Sequence, residues 1–247
     1  MLEFGLLGPV DVRADGAPVT IGAAKLRALL AALLVKHNRT VTTEALVQRV
    51  WADRPPLRAV AVLRNYVLRL RQALSDDGTV IRTTDGGYLI AVDPARFDVT
   101  RFEGLVARAD AARDPAVRSR LLSEALTLWR GPALAGVTSE PLLREHGARL
   151  EELRLNAVEQ RIEAELDLGK HTGLVPELRA LTAEHPLRER FWSQLMTALH
   201  RSSRQAEALE TYHHVYRLLS DELGLAPGAE LRERHAAILA AGGRHRT

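Results

Sequence analysis

No cysteine occurs among the 247 residues, which excludes a disulfide framework, thiolate zinc sites and cysteine nucleophiles and fits a cytosolic protein. No stretch holds about 18 uninterrupted apolar residues, so nothing reads as a membrane span. The start, Met1 to Pro9, lacks a basic region, and Glu3 and Gly5 break its apolar run; it does not read as a secretory signal. The motifs G-x-x-x-x-G-K-[ST], G-x-G-x-x-G, G-x-S-x-G and H-E-x-x-H are all missing, so no catalytic machinery is expected, nor a cofactor. The nine histidines are scattered. His213 and His214 are neighbours on a predicted helix and diverge by about 100°, which rules out joint ligation of one metal there. The acidic pairs Glu151-Glu152 and Asp221-Glu222 fall on predicted helical surfaces and need no acid–base role.

Acid is also lacking between Arg54 and Asp76, and what fills that stretch organises the rest of the chain. On a helix, Val60, Leu63, Val67, Leu70 and Leu74 share one apolar stripe, the spacing of a buried face. Opposite them lie Arg58, Asn65, Arg69 and Gln72, with Arg64 and Arg71 on the flanks. Arginine forks suit phosphates and the guanine O6/N7 edge, and Asn or Gln can pair bidentately with adenine. A solvated surface helix would show the same face. The next segment favours a reader of DNA: Val80 to Val92 contains two β-rich runs joined at Asp85-Gly86-Gly87, a hairpin signal. A basic helix followed by a hairpin bearing Arg82, Thr83 and Thr84 has the layout of a recognition helix and wing.

Before that helix, Leu2 to Leu7, Val10 to Ala14 and Val19 to Ile21 are short strand candidates separated by Gly8-Pro9 and Asp15-Gly16. Ala24 to Lys36 forms an Ala- and Leu-rich helix with Lys25 and Arg27 at its beginning. A further helix opens at Thr42 or Thr43, with Glu44 in its first turn, and ends near Trp51. Trp51 has two readings, a core aromatic or a ring whose indole N–H reaches a DNA phosphate. Pro55-Pro56 is expected to pre-set the start of the basic helix. A small sheet, three helices and a terminal hairpin make a winged helix, an α+β domain over residues 1–95.

Residues 96–247 read as helix almost throughout. Asp98 or Thr100 begins the first helix, and Thr100 to Glu103 fits a capping box. Helices are expected over Ala116–Arg130, around Leu142, and over Ala148–Leu168, Leu174–Glu184, Leu187–His200, Ser203–Leu219 and Gly228–Ala240. Short connections imply antiparallel hairpins. The form Glu-Ala-Leu-x-x-aromatic appears twice, at Glu124 to Trp129 and Glu207 to Tyr212, and Pro227 follows the second copy. That pattern favours an all-α, tetratricopeptide-like repeat domain of about three helix pairs with a capping helix. Charge divides at the same place: 12 Lys plus Arg against 9 Asp plus Glu through Ala95, and 22 against 22 beyond it. The formal excess of +3 therefore belongs to the first segment. The tail from Gly242, with Arg244 and Arg246, could add weak attraction for phosphates.

Several motifs in order resemble the Streptomyces antibiotic regulatory protein family, a response-regulator type winged helix fused to a bacterial transcriptional activation domain. They are Phe4 to Pro9, Lys25 to Leu30, Tyr66 to Leu74 and Gly86 to Leu89 in the first part. In the second they are Leu128 to Pro132, Leu150 to Arg154, Glu184 to Arg190, and Arg204 to Leu209 followed by Glu222 to Leu225. The resemblance implies a cytoplasmic, nucleoid-associated activator of antibiotic genes. It would bind direct repeats in double-stranded promoter DNA, as a homodimer there, and recruit RNA polymerase holoenzyme through its sigma and alpha subunits. It carries Arg64, Asn65 and Arg69 onto recognition positions, Arg71 onto a position facing the DNA backbone, Arg82 and Thr83 onto the wing, and Trp51 onto a phosphate contact. Lys25 and Arg27 match more loosely. Ala61, Val62 and Leu68 depart from commonly polar positions, and Asp85 places an acid in the wing turn; Val62 and Leu68 could pack on thymine methyls. The competing reading, from the residues alone, is a helical-repeat interaction scaffold, or a repressor, whose winged helix docks protein.

Overall fold

The computed structural model describes residues Met1–Gly243; Arg244 and Arg246 lie outside the described residues. The chain packs as two compact units, one of Met1–Arg108 and Ser123–Asn156, the other of Ala109–Leu122 and the residues from Ala157 on.

In the first unit, β1 (Leu2–Gly5), β2 (Asp11–Ala14) and β3 (Ala17–Pro18) form an antiparallel sheet in that order, with Phe4 opposite Val12. The third strand lies earlier than the expected Val19 to Ile21 and is shorter, although the Val19 amide still donates to the Val12 carbonyl at 2.8 Å. Helix α1 (Ala24–Leu34) is buried over eight consecutive or near-consecutive residues from Leu26 to Leu34, as its Ala and Leu content demands. Strand β4 (Val41–Thr42) leads into α2 (Thr43–Trp51), whose N-cap is Thr42: the hydroxyl accepts from the Ala45 amide at 3.2 Å. Helix α3 (Ala59–Ala73) follows, then the hairpin β5 (Ile81–Thr84) and β6 (Gly87–Ile90). The second sheet runs β4-β6-β5.

Asp85 and Gly86 alone form the hairpin turn, with Gly86 at φ 80°, a left-handed conformation that glycine adopts without strain. Gly87 is already strand, and a Cβ there would come within 2.1 Å of the Val41 carbonyl oxygen, so only glycine lets β4 pair. Between β6 and the next helix lies a 3-10 turn at Pro94–Arg96.

Helix α4 (Asp98–Asp110) begins at Asp98, the earlier of the two expected starts, and Thr100 lies inside it with its hydroxyl buried and unpartnered. Asp98 is instead recruited by the first sheet. It is 9 % exposed and accepts from the amides of Leu6 (2.9 Å) and Leu7 (3.0 Å) and from Arg130 Nη2 (2.8 Å). Burial pushes its carboxyl above the ordinary value, against the pull of those two amides and Arg130. Gly5 gives the Arg130 guanidinium its space; a Cβ there would stand 2.1 Å from Nη2. The Leu6, Leu7 and Gly8 carbonyls accept from the amides of Leu134, Arg130 and Ala135, so the residues after Leu128 form a tight extension of the first sheet's edge. Helix α5 (Pro115–Leu126) ends four residues short of Arg130, because Trp129 and Arg130 are drawn into that extension. A single turn, α6 (Glu140–Leu142), passes into one π-turn (Leu143–Gly147) and then into α7 (Ala148–Asp167).

The second unit is helical throughout its described residues. Helices α8 (His171–Glu184), α9 (Glu189–Arg201), α10 (Gln205–Leu223) and α11 (Ala229–Gly243) form successive hairpins, with α9 buried from Phe191 to Leu199. Ala208, the small residue of the second repeat copy, is fully buried where α10 meets its neighbours. Gly224 in the left-handed region closes α10. This is the winged helix followed by tetratricopeptide-like helices that the periodicities predict. No helix among the described residues is long and apolar enough to cross a membrane.

Candidate nucleic-acid interface

Leu63, Val67 and Leu70 of α3, with Leu74 just past its end, are buried as expected. Each contributes on the order of 1.5 to 3 kcal/mol through burial. Val60 corrects the predicted stripe: it is 44 % exposed, because the helix begins only at Ala59 and its first turn projects beyond the apolar floor. Pro55-Pro56 likewise lies outside the helix, in the loop before it.

The opposite face is open. Arg58, Arg64, Asn65, Arg69 and Gln72 are all exposed, and none of their side chains makes a hydrogen bond or ion pair among the described residues. No acid stands in the first turn, and the N-cap, Arg58, gives no side-chain bond, so the leading amides of α3 are unfilled. Fifteen residues at about 1.5 Å rise make a rod long enough to lie along a major groove with base-reading donors in its middle.

Arg71, expected at a position facing the DNA backbone, differs from the other arginines of α3 in having partners inside the unit. Its Nε and Nη2 reach the Ile81 carbonyl at 3.0 and 2.7 Å, and Nη2 also reaches Thr83 Oγ1 at 3.0 Å. It ties the wing to α3. Asp76 does the same from the loop between them, accepting from the amides of Gly78, Val80 and Ile81. Burial opposes ionisation there, but the amides of Val80, Ile81, Gly78 and Thr79 outweigh it and hold the carboxyl below its ordinary value.

On the wing, Arg82 is exposed and gives only its Nε, to the Thr79 carbonyl at 2.9 Å. Thr83 is exposed but engaged by Arg71, and Thr84 is half-buried with an unpartnered hydroxyl. Asp85 is exposed at the tip.

Lys25 and Arg27, the looser matches to DNA-contacting positions, also have partners inside the unit. Lys25 Nζ donates to the Val50 carbonyl at 2.7 Å, near the end of α2, where a cation suits the helix dipole. Arg27 Nη1 reaches the carbonyls of Ile21 and Gly22 at 3.0 and 2.8 Å. Both side chains are long enough to satisfy backbone of their own unit, which the sequence could not reveal. Trp51 is half-buried and stacks on Tyr66 of α3, ring centroids 5.7 Å apart and planes 22° apart, so it props that helix.

Comparison with known proteins agrees with this geometry. Residues 18–90 match the family described as "Transcriptional regulatory protein, C terminal", and residues 97–239 match "Bacterial transcriptional activator domain". The chain is 44 % identical over 244 residues to Regulatory protein AfsR of Streptomyces coelicolor, covering 97 % of this chain but 24 % of that protein. It is 39 % identical over 252 residues to Regulatory protein DnrI of Streptomyces peucetius, covering 97 % of this chain and 93 % of that one. A solved structure, "Mycobacterium tuberculosis EmbR in complex with low affinity phosphopeptide", superposes with a TM-score of 0.91 at 38 % identity over 97 % of this chain and 65 % of that one. The chain thus spans about a quarter of AfsR and nearly all of DnrI.

Proposed function

The chain belongs to the Streptomyces antibiotic regulatory protein family, and we propose on that premise that it is a sequence-specific activator of antibiotic biosynthetic genes. Residues 1–95 serve as the DNA reader and residues 96–247 as the activation domain. The observation that carries this is the unpartnered face of α3: five exposed donors of base-reading chemistry with no acid to neutralise them. An arginine that served to hold its own unit together would lie against glutamate, as Arg161, Arg179, Arg188, Arg190 and Arg204 of the second unit do.

In this reading α3 enters the major groove. Arg64, Asn65 and Arg69 meet base edges, and Arg58 with the open amides of the first turn meets phosphate. Arg82 reaches the backbone from the wing, held in place by Arg71 and Asp76. Leu68, 53 % exposed beside Arg69, offers an apolar contact for a thymine methyl, and half-buried Val62 can join it. Lys25 and Arg27 act indirectly, by holding the unit together. The protein works in the cytoplasm at the nucleoid, as a dimer on direct repeats, and its helical part contacts the sigma and alpha subunits of RNA polymerase.

Fluorescence anisotropy with a duplex from the promoter nearest its gene, against a scrambled duplex, tests the proposal at two salt concentrations. The expected result is preference for the promoter duplex and an affinity that falls steeply with salt, by about 0.9 log unit per log unit of salt for each phosphate contacted. Weak, salt-independent binding to both would favour the scaffold reading.

A further inference from the structure

We propose that the cavity formed by the turn after α1, the start of α4 and the π-turn before α7 binds a small organic monoanion, a carboxylate on an apolar or aromatic body. The cavity has a volume of about 420 Å³ and lies wholly within the first unit. That is within the range of sites for small molecules, roughly 300 to 1,000 Å³.

Its chemistry is divided. Leu34, Phe97, Val99 and Leu150 supply apolar wall, enough to hold a ring or short aliphatic body. Into this space the π-turn carries His146, which is 8 % exposed and whose Nε2 is buried with no hydrogen-bond partner. Glu145 Oε1 stands 3.4 Å from that nitrogen without the alignment of a hydrogen bond. An orphaned buried ring nitrogen is costly, on the order of 1 to 3 kcal/mol, and an acceptor placed in the cavity would relieve it. Insertion of one extra residue per turn is what rotates His146 inward, and such π-turns cluster at functional positions.

Charge identifies the missing acceptor. Arg149 is matched by Glu103 at 2.9 Å. Glu145 can offset only one of Lys36 and Arg39, neither of which has an acidic partner among the described residues. The lining is therefore one negative charge short. Burial keeps the imidazole of His146 below its usual value; Glu145 opposes this, and Arg49, Lys36 and Arg149 reinforce it, as expected where positive charge is in excess. A single carboxylate would accept from His146 Nε2–H on one side and from Arg39 or Lys36 on the other.

The test is a histidine-labelled NMR titration of the full chain, with the His146 ring assigned through its own backbone. The probes are benzoate and its neutral isostere benzamide. Benzoate is expected to move the His146 resonance saturably, with benzamide at least about ten times weaker, since a charge-assisted hydrogen bond is lost. Arg39 is exposed, so Arg39→Gln leaves the fold intact and should weaken benzoate by about the same factor. A His146 signal unmoved by benzoate, moved equally by both probes, or titrating unchanged in both Arg39→Gln and Lys36→Gln overturns the proposal.

Discussion

Arginines of α3 and five arginines of the second unit are the same residue in opposite surroundings. In the second unit Arg161 faces Glu165 and Glu177, Arg179 and Arg204 share Glu207, Arg188 faces Glu159, and Arg190 lies between Glu163 and Glu230. At the cap of α3 and along it, Arg58, Arg64 and Arg69 are exposed with no acidic partner among the described residues. The first arrangement satisfies each guanidinium inside the molecule and contributes to holding helices in register. The second leaves forks unsatisfied, which keeps them available to a polyanion. Where an arginine finds its counter-charge therefore marks the structural role of those five, which net charge alone does not: the excess is only +3.

The largest effect should come from stripping the unpartnered face. Arg64→Ala, Asn65→Ala and Arg69→Ala combined should reduce promoter binding to the non-specific level, a loss of roughly 10³-fold or more, while stability changes by less than about 0.5 kcal/mol. Anisotropy and thermal unfolding of the same preparation measure both. Arg69→Ala by itself should relax preference at one base position by about 1 to 3 kcal/mol.

Arg188→Ala is the mirror experiment in the second unit. Arg188 and Glu159 are both mostly buried, 19 % and 17 % side-chain exposure. Removing the arginine leaves a carboxylate with less compensation and should cost about 2 kcal/mol of stability. Promoter affinity should stay the same. A fall in affinity without a fall in stability would erase the distinction drawn above.

Arg71 lies on α3 but is committed to Ile81 and Thr83, so it falls between the two classes. Arg71→Ala should weaken binding only several-fold, evenly across sequences, by loosening the wing; NMR exchange rates for the β5 amides should rise with it. Arg71→Lys should not rescue, since an ammonium does not reproduce the fork that spans carbonyl and hydroxyl.

The smallest effect concerns acid. Asp76 has its carboxyl held below the ordinary 3.8 by the wing amides. A group lowered in the folded state stabilises above its unfolded value and loses that contribution as pH falls through the folded one. The stability gap between the natural protein and Asp76→Asn should therefore be full above about pH 4, narrow below 3.8, and close once both are uncharged. A gap that widens with acid would contradict this.

Much of this architecture was legible in the sequence. The buried stripe from Leu63 to Leu74 and the hairpin turn at Asp85-Gly86 follow from local periodicity and turn chemistry, which depend on neighbours a few residues away. What escaped depends on distant ones. Asp98 meets Leu6 and Leu7 across 92 and 91 residues, so nothing local marks it as a sheet-edge acceptor rather than a helix cap. Lys25 looks like a free basic residue until α2 brings the Val50 carbonyl to it. Val60 obeys the helical stripe but not the position of the floor beneath it. His146 carries no sequence signal, because the π-turn that aims it inward departs from the period by which helices are read.

Site-directed photocrosslinking decides the central claim. A benzophenone side chain introduced at Asn65 in one protein, and at Arg179 in another, is irradiated with the same promoter duplex. The account predicts a crosslink to DNA from position 65 and none from 179. Crosslinks from 179 alone, or from neither under conditions where the duplex is bound, would contradict it.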